Sequence, residues 1–112
     1  HWQLRGHGMW ALESKATGEL VGRAGFIEPA GWPGFELGWV LGREHWGKGF
    51  AREAAKEALR YAFDVMERDR VISLIRPRNA ASIRVAEAIG EKRVGEVELL
   101  GAKALVYEIR RP

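Results

Sequence analysis

The chain has 112 residues, 46% apolar and 29% charged, with a formal net charge of +3. That is one domain's length, residues 1–112, with enough apolar content for a buried core, which excludes wholesale disorder. No apolar run approaches the ~20 residues of a membrane span, and the absence of cysteine removes disulfides, thiolate metal sites and a cysteine nucleophile.

The chain opens at His1-Trp2 without methionine, and His1 to Leu4 reads as the last turn of an element before a Gly6-His7-Gly8 turn. The expectation is that an N-terminal segment is missing. Met9 to Glu13 reads as a strand, and Thr17-Gly18 as the turn of a hairpin to a second strand, Leu20 to Ile27. Glu28 to Gly34 holds two prolines and two glycines and reads as a loop. From Phe35 to Leu41, Phe35, Leu37, Trp39 and Leu41 alternate with Glu36, Gly38 and Val40, the period of a third strand. Gly42 to Phe50 is a glycine-rich loop.

Ala51 to Met66 is the clearest element. Ala51, Ala54, Ala55, Ala58, Leu59, Ala62, Phe63 and Met66 recur at helical spacing, while Glu53–Lys56 and Glu57–Arg60 can pair on the wet face. The stripe is mostly alanine at its start, so the helix can approach a sheet closely there. Val71 to Ile75 is a short strand, which makes strand, helix and strand a right-handed crossover between parallel strands. Asn79 can cap a helix from Ala80 to Ile89, ended by Gly90. Lys92 to Leu99 and Ala104 to Ile109 read as a closing hairpin around Gly101. The order β-β-β-α-β-α-β-β predicts a mixed α/β (α+β) layer fold.

Thirteen of the eighteen basic residues are arginine, a mild excess that favours anionic ligands such as phosphates and is too small to argue for nucleic acid. Arg68, Arg70, Arg76, Arg78 and Arg84 cluster in sequence and read chiefly as a solvated surface. With only His1, His7 and His45 available, a histidine-built metal site is disfavoured. A cysteine-free chain fits the cytoplasm, and a homodimer stays open.

Trp46-Gly47-Lys48-Gly49-Phe50-Ala51 lies between a strand end and a helix start, where free amides and the helix dipole favour phosphate. An ordinary tight strand-to-helix connection would look the same. Gly42 to Lys48 nearly spells a P-loop, but Gly49 stands where a serine or threonine should hold magnesium. The dinucleotide pattern fails because Arg52 occupies its third small position.

The loop matches the acyl-CoA pattern Gln/Arg-x-x-Gly-x-Gly/Ala except at Trp46. With Arg52-Glu53-Ala54 following, it resembles the GNAT acetyltransferase superfamily, in the branch of the ribosomal-protein N-terminal acetyltransferases. Thr17 to Gly22, Phe35 to Leu41, Asn79-Ala80-Ala81-Ser82-Ile83 and Tyr107-Glu108-Ile109 extend the resemblance from about Met9 to Arg110. It implies a largely antiparallel sheet with one parallel crossover and helices on both faces. It also implies an earlier strand and one or two helices before this point, and the expectation is that they are missing here.

What the resemblance implies chemically is direct transfer of acetyl from acetyl-CoA to a primary amine, a protein N-terminus or a small molecule, without a metal. Amides of Gly47, Lys48, Gly49, Phe50 and Ala51 would hold the pyrophosphate, with Trp46 opening the motif. The backbone of Trp39, Val40 and Leu41 would pair with the pantetheine arm, the Val40 amide facing the thioester oxygen, unless these groups are ordinary ladder partners. Glu36 would be the general base, acting through a water; an exposed strand carboxylate is the bland alternative. Many family members place an acidic tyrosine at the position of Ala86. Here Ser82 is the nearest hydroxyl, or simply a first-turn helix residue, and Asn79 can donate to the pantetheine or a site water. Trp32 lies in a loop beside the acceptor side, unless it folds back onto the core. The alternative from another class is a non-catalytic module of the same fold that senses acyl-CoA or docks on RNA or the ribosome.

Overall fold

The computed structural model describes residues 2–5, 9–13, 20–28, 31–41 and 49–112. In chain order the elements are β1 (Trp2–Arg5), β2 (Met9–Glu13), β3 (Leu20–Ile27), β4 (Glu36–Leu41), α1 (Phe50–Asp64), β5 (Arg70–Ile75), α2 (Ala80–Ala88), β6 (Lys92–Leu99) and β7 (Ala102–Arg110). The strands form one sheet in the order β1-β2-β3-β4-β5-β7-β6. Every neighbouring pair is antiparallel except β4 and β5, the pair that α1 connects. The Thr17-Gly18 turn lies outside the described residues.

The first four described residues correct the sequence reading. Trp2 to Arg5 is a strand rather than a closing turn, paired from Trp2↔Leu12 to Arg5↔Met9. The reason is visible in hindsight: Trp2, Gln3, Leu4 and Arg5 alternate apolar and polar.

The α1 stripe reads as foreseen up to its end. Ala54, Ala55, Ala58 and Ala62 are at most 1% exposed and bring the helix close to Ala24 and Leu37 on the sheet. Met66 falls outside the helix and is 39% exposed. The amides of Val65 and Met66 both converge on the Tyr61 carbonyl, at 2.9 and 3.1 Å, and Glu67 adopts φ 55, which turns the chain away.

α2 packs through Ala86 and Ile83 against Ile75, Leu105 and Tyr107, and Trp39 joins this cluster to the one beneath α1. Side chains alternate along strands, so Leu37, Trp39, Val71, Ile75 and Leu105 share one face. Both helices therefore cover the same face. Of the helices foreseen on both faces, the described residues supply only this one, and Glu36, Gly38 and Val40 point to the other.

Three of the clustered arginines, though partly solvated, also make structural contacts. Arg68 lies 4.1 Å over the Phe35 ring, itself stacked on Phe26, and bonds Glu28 at 3.2 Å. Arg70 pairs with Glu108 and donates to the Pro33 carbonyl at 3.1 Å. Arg76 donates to the carbonyls of Leu99, Ala102 and Lys103, fastening the end of β5 to the β6–β7 turn. Among the described residues no helix is long and apolar enough to cross a membrane.

Candidate active site

The site begins where β4 and β5 part. Their register consists of the single pair Glu36↔Ile72, with the Ile72 amide donating to the Phe35 carbonyl at 2.9 Å. A continuing parallel ladder would carry the Leu74 amide to the Leu37 carbonyl. Two side chains take those groups instead. The Leu74 amide donates to Glu36 Oε2 at 3.1 Å, and Ser73 Oγ donates to the Leu37 carbonyl at 2.9 Å. Each buried backbone group keeps a partner, so the strands can diverge without an orphaned donor or acceptor.

A cavity opens on each side of this divergence. One, of about 410 Å³, is lined by Arg23, Ile27, Glu36, Gly38, Val40 and Leu74. The other, of about 490 Å³, lies between the start of α1 and α2 and is lined by Gly49, Ala51, Arg52, Asn79, Arg84 and Val85. Trp39 and Val40 line both cavities, so the two meet there. Among the described residues no cluster of three or more His, Asp or Glu side chains could hold a metal ion.

Glu36 is half-buried, and both of its oxygens are engaged. Trp32 Nε1 donates to Oε1 at 2.9 Å, while the Leu74 amide holds Oε2. Trp32 thus reaches the carboxylate itself, a contact the sequence did not specify. Two bonds to a group with about four acceptor positions leave room for a water or an amine.

The Val40 amide does not lie where the resemblance put it. Backbone groups alternate in direction along a strand. The Ile72–Phe35 bond and the unbroken β3–β4 register direct Phe35, Leu37, Trp39 and Leu41 toward β5, and Val40 toward Arg23 on β3. The open edge therefore offers Trp39 and Leu41, while the Val40 side chain is 57% exposed at the junction.

Of the glycine-rich loop, Trp46, Gly47 and Lys48 lie outside the described residues. Gly49 begins α1 with φ 78, a left-handed angle that favours glycine, and its carbonyl accepts from the Glu53 amide at 3.0 Å. Ala51 lines the second cavity, and Phe50 packs against the core. Asn79 caps α2, its Oδ1 accepting from the Ser82 amide at 3.1 Å, and lines the same cavity. Ser82 lines neither cavity; the α2 face turned to the groove is Asn79, Ala81, Arg84, Val85 and Ala88. Ala86 is fully buried in the core and lines neither cavity.

Four residues escaped the sequence reading. Arg52 and Arg84 flank the second cavity; a helical wheel from Asn79 would have found Arg84. Ser73 and Glu91 are each 2% exposed, and Ser73 Oγ lies 3.0 Å from Glu91 Oε2. The lone serine in the otherwise apolar run Val71 to Ile75 was a signal for the first. Burial pushes the Glu91 carboxyl up from 4.5 to about 7; the Ser73 hydrogen bond opposes that rise, and the nearby Glu36 charge adds to it.

A family model described as an acetyltransferase (GNAT) domain matches residues 1–92. The chain is 37% identical over 108 residues to YkkB of Bacillus subtilis (strain 168), covering 93% of this chain and 63% of that protein. It thus spans less than two thirds of that relative's length. Among solved structures, an acetyltransferase from Agrobacterium tumefaciens str. C58 superposes with a TM-score of 0.84 at 33% identity, over 95% of this chain and 62% of that one. The ribosomal-protein-S5-alanine acetyltransferase from Vibrio fischeri superposes with a TM-score of 0.78 at 20% identity, over 91% of this chain and 60% of that one. This last likeness shows the fold alone.

Proposed function

Because the chain belongs to the GNAT acetyltransferase family, we propose that it transfers acetyl from acetyl-CoA directly to a primary amine, that of a peptide N-terminus or a small molecule. The observation that carries this reading is the meeting of the two cavities at Trp39 and Val40, with the Glu36 carboxylate on one side and the start of α1 with Arg52 and Arg84 on the other.

The second cavity suits the nucleotide end of coenzyme A. The amides of residues 47 to 51 would bind the pyrophosphate, aided by the positive end of the α1 dipole. Arg52 and Arg84 would supply charge-assisted bonds to phosphate. Along the open β4 edge, the Trp39 and Leu41 backbone groups would pair with the pantetheine arm as an added strand does. Asn79 stands at the groove's side, where its amide nitrogen can donate to that arm.

In the first cavity Glu36 acts as general base. Its hydrogen bonds from Trp32 and Leu74 fix the carboxylate's position, which is what proton transfer requires. Glu36 takes the amine's proton through a water as the nitrogen bonds to the acetyl carbon. The carbon–sulfur bond then breaks, and the electron pair leaves on sulfur. A thiol pKa near ~8.5 makes this a good leaving group, so solvent can supply the final proton. Ser82 takes no part, since it lines neither cavity.

The test is free-thiol release from acetyl-CoA against peptide N-termini and small amines. Amine-dependent release supports the reading. Tight acetyl-CoA binding with no release against any amine contradicts it in favour of a binding module.

A further inference from the structure

Gly90 and Glu91 end α2 in a Schellman motif. The Gly90 amide donates to the Glu87 carbonyl at 3.1 Å, the Glu91 amide to the Ala86 carbonyl at 3.0 Å, and Gly90 adopts φ 99. The residue at Glu91's position in such a motif ordinarily makes an apolar contact with the helix's last turn. Here it is a carboxyl group, 2% exposed, whose Oε1 has no hydrogen-bond partner. An acid kept where an apolar residue is the ordinary choice calls for a reason.

Counting protons supplies one. The Ser73 hydroxyl has a single hydrogen, yet two acceptors lie within reach, the Leu37 carbonyl at 2.9 Å and Glu91 Oε2 at 3.0 Å. Both contacts are hydrogen bonds only if one hydrogen comes from the other side. A carbonyl cannot supply it, and a carboxylic acid can. The Leu37 carbonyl is the group that the parting of β4 from β5 leaves without a ladder partner.

We propose that Glu91 is a positioning residue for acetyl transfer, a neutral carboxylic acid that donates to Ser73 Oγ, commits the Ser73 hydrogen to the Leu37 carbonyl, and so holds the divergence of β4 and β5 against which Glu36 is set. The proposal rests on the reading of Glu36 as the base. Ionised Glu91 would compete with Leu37 for the one hydrogen and place a second negative charge near Glu36. The groups around it do not relieve that charge. Glu36 on β4 repels it, Tyr107 on β7 is the cross-strand partner of Ser73, and the buried stripes of α1 and α2 are apolar. Glu87, Lys92 and Arg93 are exposed.

Glu91→Gln tests this, because an amide donates to Ser73 at every pH and cannot ionise. Thiol release from acetyl-CoA is followed with an alanine-initiated tripeptide as the acceptor probe, and the wild-type rate is divided by the Glu91→Gln rate, which cancels the amine's own titration. The ratio is expected near one below pH 6, falling about tenfold by pH 9, the scale of one lost hydrogen bond. Glu91→Met, which cannot donate, is expected to lower kcat about tenfold at both ends while the KM for acetyl-CoA changes less. Infrared difference spectra of the two folded proteins supply a readout independent of turnover. A carboxylic-acid carbonyl band should be present in wild type at pH 6 and absent from Glu91→Gln. A flat ratio, or no such band, overturns the proposal. If wild type neither binds acetyl-CoA nor releases thiol, the proposed function fails, and the infrared comparison still decides whether Glu91 is a neutral acid.

Discussion

The buried Glu91 makes a quantitative demand on stability. Its carboxyl titrates near 7 in the folded chain, against 4.5 in the unfolded one. At about 1.36 kcal/mol per pKa unit the difference is on the order of 3 kcal/mol. The sign follows from proton binding. Between the two values the folded chain holds the proton and the unfolded chain does not, so stability falls as pH rises from 4.5 to about 7 and is level above that. Other carboxylates work in the opposite sense. Hydrogen bonds from Arg70 hold Glu108 below its ordinary value, as Lys103 does for Glu96, so their contributions are lost as pH falls through their lowered values. Comparing wild type with Glu91→Gln in urea at each pH cancels these. The wild-type advantage over the variant should shrink by roughly 3 kcal/mol between pH 4.5 and 7.5. At a urea slope of about 1–3 kcal/mol/M this is a midpoint difference of on the order of 1–3 M. A difference that stays constant across that range would refute the placement of Glu91 as a buried neutral acid.

Other outcomes follow from single positions. Gly49→Val forces a β-branched residue to φ 78, where a Cβ meets none of the described residues within 4 Å, so the penalty from these is backbone strain of about 1–2 kcal/mol. The folded variant should lose acetyl-CoA affinity at least tenfold by calorimetry, and unchanged affinity would remove the loop from the binding site. Leu100 holds φ 52 in the β6–β7 turn and is 88% exposed. Leu100→Asn suits that left-handed angle and should stabilise by roughly 1 kcal/mol, read as a rise of about 4 °C in Tm. Ser82→Ala should leave thiol release at the wild-type rate, and a fall of tenfold or more would restore the hydroxyl to the mechanism.

The sequence made the local elements legible. The alanine stripe from Ala51 to Phe63 fixed α1 and its close approach to Ala24 and Leu37, because helix periodicity and side-chain size are local quantities. β1 was missed because four residues give too short a window for alternation to be decisive. The motif around Gly49 and Asn79 led to the second cavity, and Glu36 to the first. What stayed hidden depends on pairing between distant strands. Which backbone amides face the open edge is set by the Glu36↔Ile72 register, which turns Trp39 and Leu41 toward it and Val40 away. Nothing local shows that Glu91 is buried. A charged residue after a helix-ending glycine ordinarily faces water, and only the Schellman turn folds this one under the sheet beside Ser73.

On the proposed function, Glu36 accepts the amine's proton in the first cavity, beside its junction with the second at Trp39 and Val40. Glu36→Gln keeps a side-chain oxygen for Trp32 or Leu74 and removes the base. Acetyl-CoA affinity by calorimetry should stay near wild type, while amine-dependent thiol release falls by roughly a hundredfold or more. Thiol release at the wild-type rate across the whole pH profile would contradict the assignment.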